Sequence, residues 1–354
     1  MFVRSLCIAV AALQLLLPSG EAQGTGEQCE RLDGTIGTCM ELGRCLQSDG
    51  NTQSVINLRS CATTWGDIRQ TPVCCRSNPR KVARAMCSKW NSIANNFGIC
   101  EATETRIHNG IFAQLNEFPH MVALVDRFRN QHAFCGGTLI SENFVLTAAH
   151  CIEGKKTPSE VSVRVGVINL QDEDSQTFQV LKIWQHPLYR LPSSYHDIAL
   201  LQLATKLQLS KSLLPACLPT QNGRLQEGKM LTVAGWGKTE VGKLSNVLQK
   251  GFGRTVSRFA CDDALDKLSN NRVSYSAGIT DSIICLDESN SGSCKGDSGG
   301  PLTEENVSTC QHIVLGIVSK GSPHCQRTTI PGIYTNVEHY IQWIVDIVWR
   351  NENA

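Results

Sequence analysis

From Ile107 onward the chain breaks into short runs rich in Val, Ile, Leu and Thr, separated by clusters of Gly, Asn, Asp and Pro. Met121 to Val125, Thr138 to Ile140, Val161 to Val165, Ile198 to Leu203, Leu231 to Ala234 and Ile313 to Val318 are examples. Short runs at that spacing predict strands, and the segment as a whole predicts an all-β barrel or sandwich. A helix is clear at the end, where Val337, Ile341, Ile344, Val345 and Val348 recur at helical spacing from Asn336 onward. With 354 residues, 18% of them charged, the chain can bury a substantial core and divide into two or three domains.

The stretch before Ile107 is built differently. Residues 1–22 read as a secretory signal peptide: Met1-Phe2-Val3-Arg4, an apolar run from Leu6 to Leu17 broken only by Gln14, then Pro18-Ser19-Gly20-Glu21-Ala22. No later segment reaches the roughly 18 uninterrupted apolar residues of a membrane span, so a secreted, extracellular product with no membrane partner is expected. The 17 cysteines become sixteen once Cys7 leaves with the signal, and an even number in an oxidising compartment argues for disulfides rather than metal sites or free thiols. Cys29, Cys39, Cys45, Cys61, Cys74 and Cys75 fall within residues 23–76, with few large apolar side chains among them. So small a unit needs covalent staples, and the neighbours Cys74 and Cys75 should bond to different partners. Residues 77–106, basic at first and carrying Cys87 and Cys100, read as a tether with a short helix over 86–97. A net charge of +1 without a basic block excludes a nucleic-acid partner.

Three separated segments hold the residue types that activated-serine chemistry requires. Thr147-Ala148-Ala149-His150-Cys151 offers a histidine, and Asp197-Ile198-Ala199-Leu200-Leu201 places a carboxylate at the mouth of an apolar strand. Gly292-Ser293-Cys294-Lys295-Gly296-Asp297-Ser298-Gly299-Gly300 supplies a hydroxyl among glycines that let backbone amides approach a substrate. A serine hydroxyl is a poor nucleophile at neutral pH. His150 must therefore take its proton, while Asp197 holds the imidazole tautomer and stabilises the imidazolium. The N–H groups of Gly296 and Ser298 would face the oxyanion. Each segment alone has an ordinary structural explanation, but their joint occurrence in the order His, Asp, Ser points to a covalent hydrolase.

With these segments, Gly235-Trp236-Gly237 and Pro331-Gly332-Ile333-Tyr334, residues 107–354 resemble the trypsin and chymotrypsin family of serine proteases over essentially their whole length. The resemblance implies a chymotrypsin-like double six-stranded β-barrel with a C-terminal helix and the triad between the barrels. It also implies the pairs Cys135–Cys151, Cys261–Cys285 and Cys294–Cys325, and a hydrogen bond from Ser319 to Asp197. The six-cysteine unit, ending in Cys74-Cys75, resembles the clip domain attached to arthropod proteases of extracellular cascades. That resemblance implies Cys29–Cys74, Cys39–Cys61 and Cys45–Cys75.

Arg106-Ile107-His108-Asn109-Gly110 sits where this family is cleaved to become active. The freed Ile107 amine would pair with Asp297 and order the oxyanion loop. A bridge from Cys100 to Cys217 would keep the light chain attached, leaving Cys87 to pair with Cys310 by elimination. In the family the pocket walls match Gly321 and Gly332, and its base is Gly292 beside Ser293. A relative that cuts after Arg or Lys would carry Asp at position 292. Without that carboxylate a bound cation would be buried unpaired, so a chymotrypsin-like preference is expected, with an elastase-like one as the alternative, and the enzyme should cut its own Arg106–Ile107 bond poorly.

Asn306-Val307-Ser308 is a glycosylation sequon. Val167 replaces an acidic ligand where some relatives bind calcium, so neither metal nor cofactor is expected. The reading is a secreted clip-domain serine endopeptidase, made as a zymogen and acting in a haemolymph cascade of innate immunity such as melanisation or Toll signalling. Its implied partners are an upstream trypsin-like activator, protein substrates that are downstream zymogens or cofactors, and a serpin inhibitor. The alternative is a non-catalytic protease-like cofactor of the same cascade.

Overall fold

A computed structural model of the chain describes residues 28–31, 36–42, 45, 61, 72–76, 78–99, 112–128, 133–153, 157–172, 175–221, 225–239, 242–267, 271–289, 293–306, 309, 311–320 and 330–349. The signal segment, Cys100, Arg106, Ile107, Gly292, Cys310, Gly321 and Cys325 lie outside them.

Near the N-terminus, β1 (Gln28–Glu30), β2 (Ile36–Glu41) and β3 (Pro72–Arg76) form an antiparallel sheet in that order. Successive residues of a strand point to opposite faces, so Cys74 and Cys75 reach different clusters. Cys74 packs with Cys29, Cys39 and Cys61, whereas Cys75 packs with Leu42, Cys45 and Val73. The bonds are Cys29–Cys74, Cys39–Cys61 and Cys45–Cys75. A sheet this small buries too little apolar surface to hold itself, and each staple contributes about 2–4 kcal/mol.

Next comes α1 (Pro79–Asn96), which is longer than the helix expected over 86–97. Its start is set by Asn78, whose side chain accepts from the N–H groups of Arg80 (3.0 Å) and Lys81 (3.3 Å), with Pro79 in the first helical position. Ala83, Trp90 and Ala94 are each 1% exposed and share one face with Cys87. Cys87 bonds to Cys217, Ala94 packs with Leu214, and Lys89 reaches Glu142 at 3.1 Å. This corrects two expected pairings, Cys100–Cys217 and Cys87–Cys310. The helix turns Cys87 inward with Trp90, one turn from the apolar contacts that seat it, a choice that cysteine spacing does not encode.

The first barrel closes in the order β4-β5-β6-β9-β8-β7. Its strands are β4 (Met121–Asp126), β5 (Ala133–Ser141), β6 (Phe144–Thr147), β7 (Val161–Val165), β8 (Gln176–Gln185) and β9 (Ala199–Leu203). The second closes in the order β10-β11-β12-β15-β14-β13. Its strands are β10 (Met230–Gly235), β11 (Gln249–Thr255), β12 (Ile283–Asp287), β13 (Pro301–Asn306), β14 (Gln311–Lys320) and β15 (Gly332–Asn336). The expected double six-stranded barrel is met, and closure leaves neither sheet with a free edge.

Leu231, Val233, Leu286, Leu302, Val318 and Tyr334 fill the second barrel. Met121 and Ala123 of the first meet Ala234, Trp236 and Leu248 of the second. Each large side chain buried this way contributes about 1.5–3 kcal/mol. Between the second-barrel strands lie α2 (Arg258–Asp266) and α3 (Asn271–Ser274); the chain ends, among the described residues, with α4 (Ile341–Val348). A single 3-10 turn, Val337–Tyr340, leads into α4, and the Asn336 side chain caps that turn by accepting from the Glu338 N–H.

Among the described residues, a buried ion pair joins the second barrel to the segment that leads into β4. Lys250 of β11 donates to Glu117 at 2.6 Å, with side chains 3% and 10% exposed. Replacing Lys250 with Met strands the carboxylate in the interior and should cost about 3–5 kcal/mol, read as a fall in the thermal midpoint; adding Glu117→Leu should recover most of the loss. Peptide mapping without reduction should recover a Cys87–Cys217 fragment. Recovery of Cys100–Cys217 instead would overturn the register of α1.

Candidate active site

Strand pairing explains how His150 and Asp197 meet across 47 residues of sequence. β6 and β9 run antiparallel with Thr147 opposite Ala199, so the chain leaving β6 and the chain entering β9 emerge at the same end. Leaving β6, the backbone turns through a 3-10 segment, Ala149–Cys151, that carries His150. The Cys135–Cys151 bond ties this turn to β5. Asp197 immediately precedes Ile198, which is fully buried and anchors the start of β9.

The Asp197 carboxylate is 2% exposed but well supplied with donors. It accepts from the His150 backbone N–H at 2.9 Å, from His150 Nδ1 at 2.8 Å and from Ser319 Oγ at 2.5 Å. Thr335 Oγ1 donates to the Asp197 carbonyl at 2.8 Å, a support that no sequence motif announced. Because an ionised carboxylate only accepts, the neutral imidazole carries its proton on Nδ1 and presents a lone pair at Nε2. Burial pulls the His150 pKa down, but the Asp197 charge and hydrogen bond, aided by Glu153, outweigh it and leave the pKa raised; Lys320 opposes.

Ser298 lies on the turn between β12 and β13. Its carbonyl accepts from Gly136 N–H at 2.7 Å. A Cβ on the following Gly299 would come within 3.1 Å of Cys151 Sγ, so the turn of Ser298 packs on the turn of His150. Among the described residues Ser298 Oγ has no hydrogen-bond partner, and His150 Nε2 lies 3.9 Å from Cys151 Sγ. No Nε2–Oγ hydrogen bond forms in this arrangement, and catalytic contacts of this kind tighten in the Michaelis complex. In this turn the N–H groups of Asp297, Gly299 and Gly300 each find an acceptor, whereas those of Gly296 and Ser298 have none among the described residues. Gly296, at φ 109°, holds a conformation closed to most side chains. Two unspent amides beside a serine can take up a developing oxyanion.

Asp297 points away from that surface. Its Oδ1 accepts from Gly237 N–H at 2.7 Å and its Oδ2 from Cys294 N–H at 2.8 Å. Gly237 is glycine because a Cβ there would lie 2.5 Å from the carboxylate, and Gly235 faces the same obstacle. Burial pushes the Asp297 pKa up to about 6, against the two backbone donors. No cation pairs with it among the described residues.

The expected pocket residues Ser293 and Gly332 converge on a carboxylate that the sequence reading did not place there. Glu288, 6% exposed, accepts from Ser293 N–H at 3.2 Å, from Ser293 Oγ at 3.3 Å and from the Tyr334 hydroxyl. Burial raises its pKa to about 7, while the Tyr334 and Ser293 donors lower it and Asp297 adds repulsion. A carboxylate thus stands between two of the residues expected to line the pocket. Position 292 is glycine, and Glu288 directly follows the last residue of β12. In sequence Glu288 belongs to the polar run Asp287-Glu288-Ser289-Asn290, which looks like any surface turn. Lys320 donates to Ser274 Oγ at 2.7 Å and lies 5.3 Å from the Tyr275 ring. Cys294 is disulfide-bonded, and Asn306 is exposed at the end of β13.

A family model described as Trypsin matches residues 107–344. The chain is 30% identical to "CLIP domain-containing serine protease HP8" of Bombyx mori, across 92% of this chain and 92% of that protein. It is 28% identical to "Serine protease grass" of Drosophila melanogaster, across 87% of this chain and 91% of that protein. A family model that spans both barrels, and relatives aligned along most of the length, leave one assignment: the chain belongs to the trypsin family of serine proteases, among its clip-domain members.

Proposed function

We propose that the chain is an active serine endopeptidase with Ser298 as nucleophile, His150 as general base and Asp197 as its orienting carboxylate. The observation that carries this reading is the hydrogen-bonded series Ser319–Asp197–His150 beside two unspent amides, Gly296 and Ser298. Nε2 takes the Oγ proton as Oγ attacks the scissile carbonyl, and the imidazolium then returns that proton to the leaving amine. Catalysis needs every member, which favours an enzyme over a non-catalytic cofactor.

The enzyme is made as a zymogen and activated by cleavage between Arg106 and Ile107. What supports this is the state of Asp297: a buried carboxylate held by neutral donors alone is costly, and a new ammonium at Ile107 would neutralise it and rigidify the oxyanion turn. The Cys87–Cys217 bond would keep the N-terminal sheet and α1 attached after the cut. A signal segment, disulfide staples and clip-domain relatives support secretion into haemolymph, where an upstream trypsin-like protease activates the enzyme, protein zymogens or cofactors are its substrates and a serpin inhibits it. Immune signalling is the cascade this reading favours, with glycosylation at Asn306. The chymotrypsin-like preference presupposes an uncharged pocket base, and the Glu288 carboxylate beside Ser293 argues against that premise.

After cleavage behind Arg106 by an immobilised trypsin-like protease, Ser298 should react with a fluorophosphonate probe, and Ser298→Ala should not. A folded, cleaved protein that stays unlabelled would favour the cofactor. Asp197→Asn leaves the imidazole in the wrong tautomer and should lower kcat roughly ten-thousandfold. In the uncut chain a carboxyl with ordinary pKa 3.8, raised to about 6 by folding, weakens the fold as pH climbs through that interval. An ammonium partner removes this penalty, so cleavage should raise the thermal midpoint more at pH ~7.5 than at pH ~4.5.

A further inference from the structure

We infer that Glu288 supplies the negative charge at the base of the specificity pocket, so that this protease cuts after Arg or Lys although position 292 is glycine. The inference rests on the serine-protease reading and names the substrate class for that site.

Topology brings the side chain there. β12 pairs with β15 in a register that sets Leu286 opposite Gly332, so Glu288, two residues further on, leaves the ladder beside the strand that carries Gly332 and Tyr334. Gly332 makes room: a Cβ at that position would lie 2.5 Å from Glu288 Oε2. Ser293, five residues before the nucleophile, donates from both its backbone and its hydroxyl. Two residues expected as pocket lining thus meet at one carboxylate.

The electrostatics leave that carboxylate incomplete. Its donors, Ser293 and Tyr334, are neutral, and among the described residues no Lys or Arg pairs with it. The charged group nearest in effect is Asp297, which repels it. A buried carboxylate with neutral donors and a like charge nearby is poorly compensated, and a guanidinium or ammonium from a substrate is the missing partner. The planar fork of Arg can bond both carboxylate oxygens while Ser293 Oγ and Tyr334 OH retain theirs. It follows that Arg106–Ile107 suits the enzyme's own pocket, the reverse of the expectation from Gly292.

Benzamidine, a small aryl amidinium, tests the charge without turnover. Titrated into the chain cleaved after Arg106 and carrying Ser298→Ala, it should bind, and binding should tighten as pH rises through the titration of Glu288. Tyr334, Ser293 and Asp297 are the groups that face it. Glu288→Gln keeps the shape and removes the charge, and should weaken benzamidine roughly a hundredfold or more, with the thermal midpoint recorded to show the variant folds. In the protein with Ser298, peptide anilides with Arg or Lys before the scissile bond should be cleaved in preference to those with Phe or Leu. Failure of benzamidine to bind, or a preference for Phe or Leu, overturns the inference whatever the variant does. Glu288-dependent benzamidine binding without fluorophosphonate labelling of Ser298 upholds the pocket and overturns the catalytic reading, so the two fail separately.

Discussion

A carboxylate withdrawn from water must be met by donors or by a cation, and three of them organise the region around Ser298. Asp197 is met in full by His150 and Ser319. Asp297 is met by two backbone N–H groups and lacks a cation among the described residues. Glu288 is met by a serine and a tyrosine and also lacks one. The degree of compensation parallels the work proposed for each. The satisfied group holds a catalytic base steady, the second awaits the ammonium created by activation, and the third awaits the cation of a substrate. On the proposed roles, burial of charge serves rigidity in one case and creates a demand for a partner in two.

Those demands have shaped the glycines and the strand registers around them. Gly235 and Gly237 leave space for Asp297, and Gly332 leaves space for Glu288. The ladder between β6 and β9 delivers His150 and Asp197 to the same end of one barrel, and the ladder between β12 and β15 delivers Glu288 beside Gly332. Closed barrels suit this work because their registers are shared around the whole ring, so a slip in one strand would disturb every neighbour.

Much of the fold was legible in the chain. Val161 to Val165 is one strand end to end, and the other five apolar runs singled out all lie in or overlap strands of the two barrels. Asn336 caps the turn that leads into α4. The adjacency of Cys74 and Cys75 already implied different partners, since neighbours in a strand face opposite ways. Less was legible where partners come from distant segments. The length of α1 was under-read because the Asn78-Pro79 start signal lay outside the apolar pattern, and the Cys87–Cys217 bond follows from which helix face packs, not from cysteine spacing.

The sequence by itself determined an all-β barrel or sandwich after Ile107, a disulfide-stapled N-terminal unit and the three segments able to furnish a nucleophile, a base and a carboxylate, while the double barrel was what the family resemblance implied. Periodicity, turn residues and residue chemistry are local properties and can be read locally. Only the tertiary structure decided which cysteine holds α1 and which carboxylate stands beside Ser293 and Gly332. A glycine at position 292 reads as an absence of charge, but charge acts through distance, and the fold brings Glu288 to Ser293, Gly332 and Tyr334 from a turn that the chain alone presents as surface.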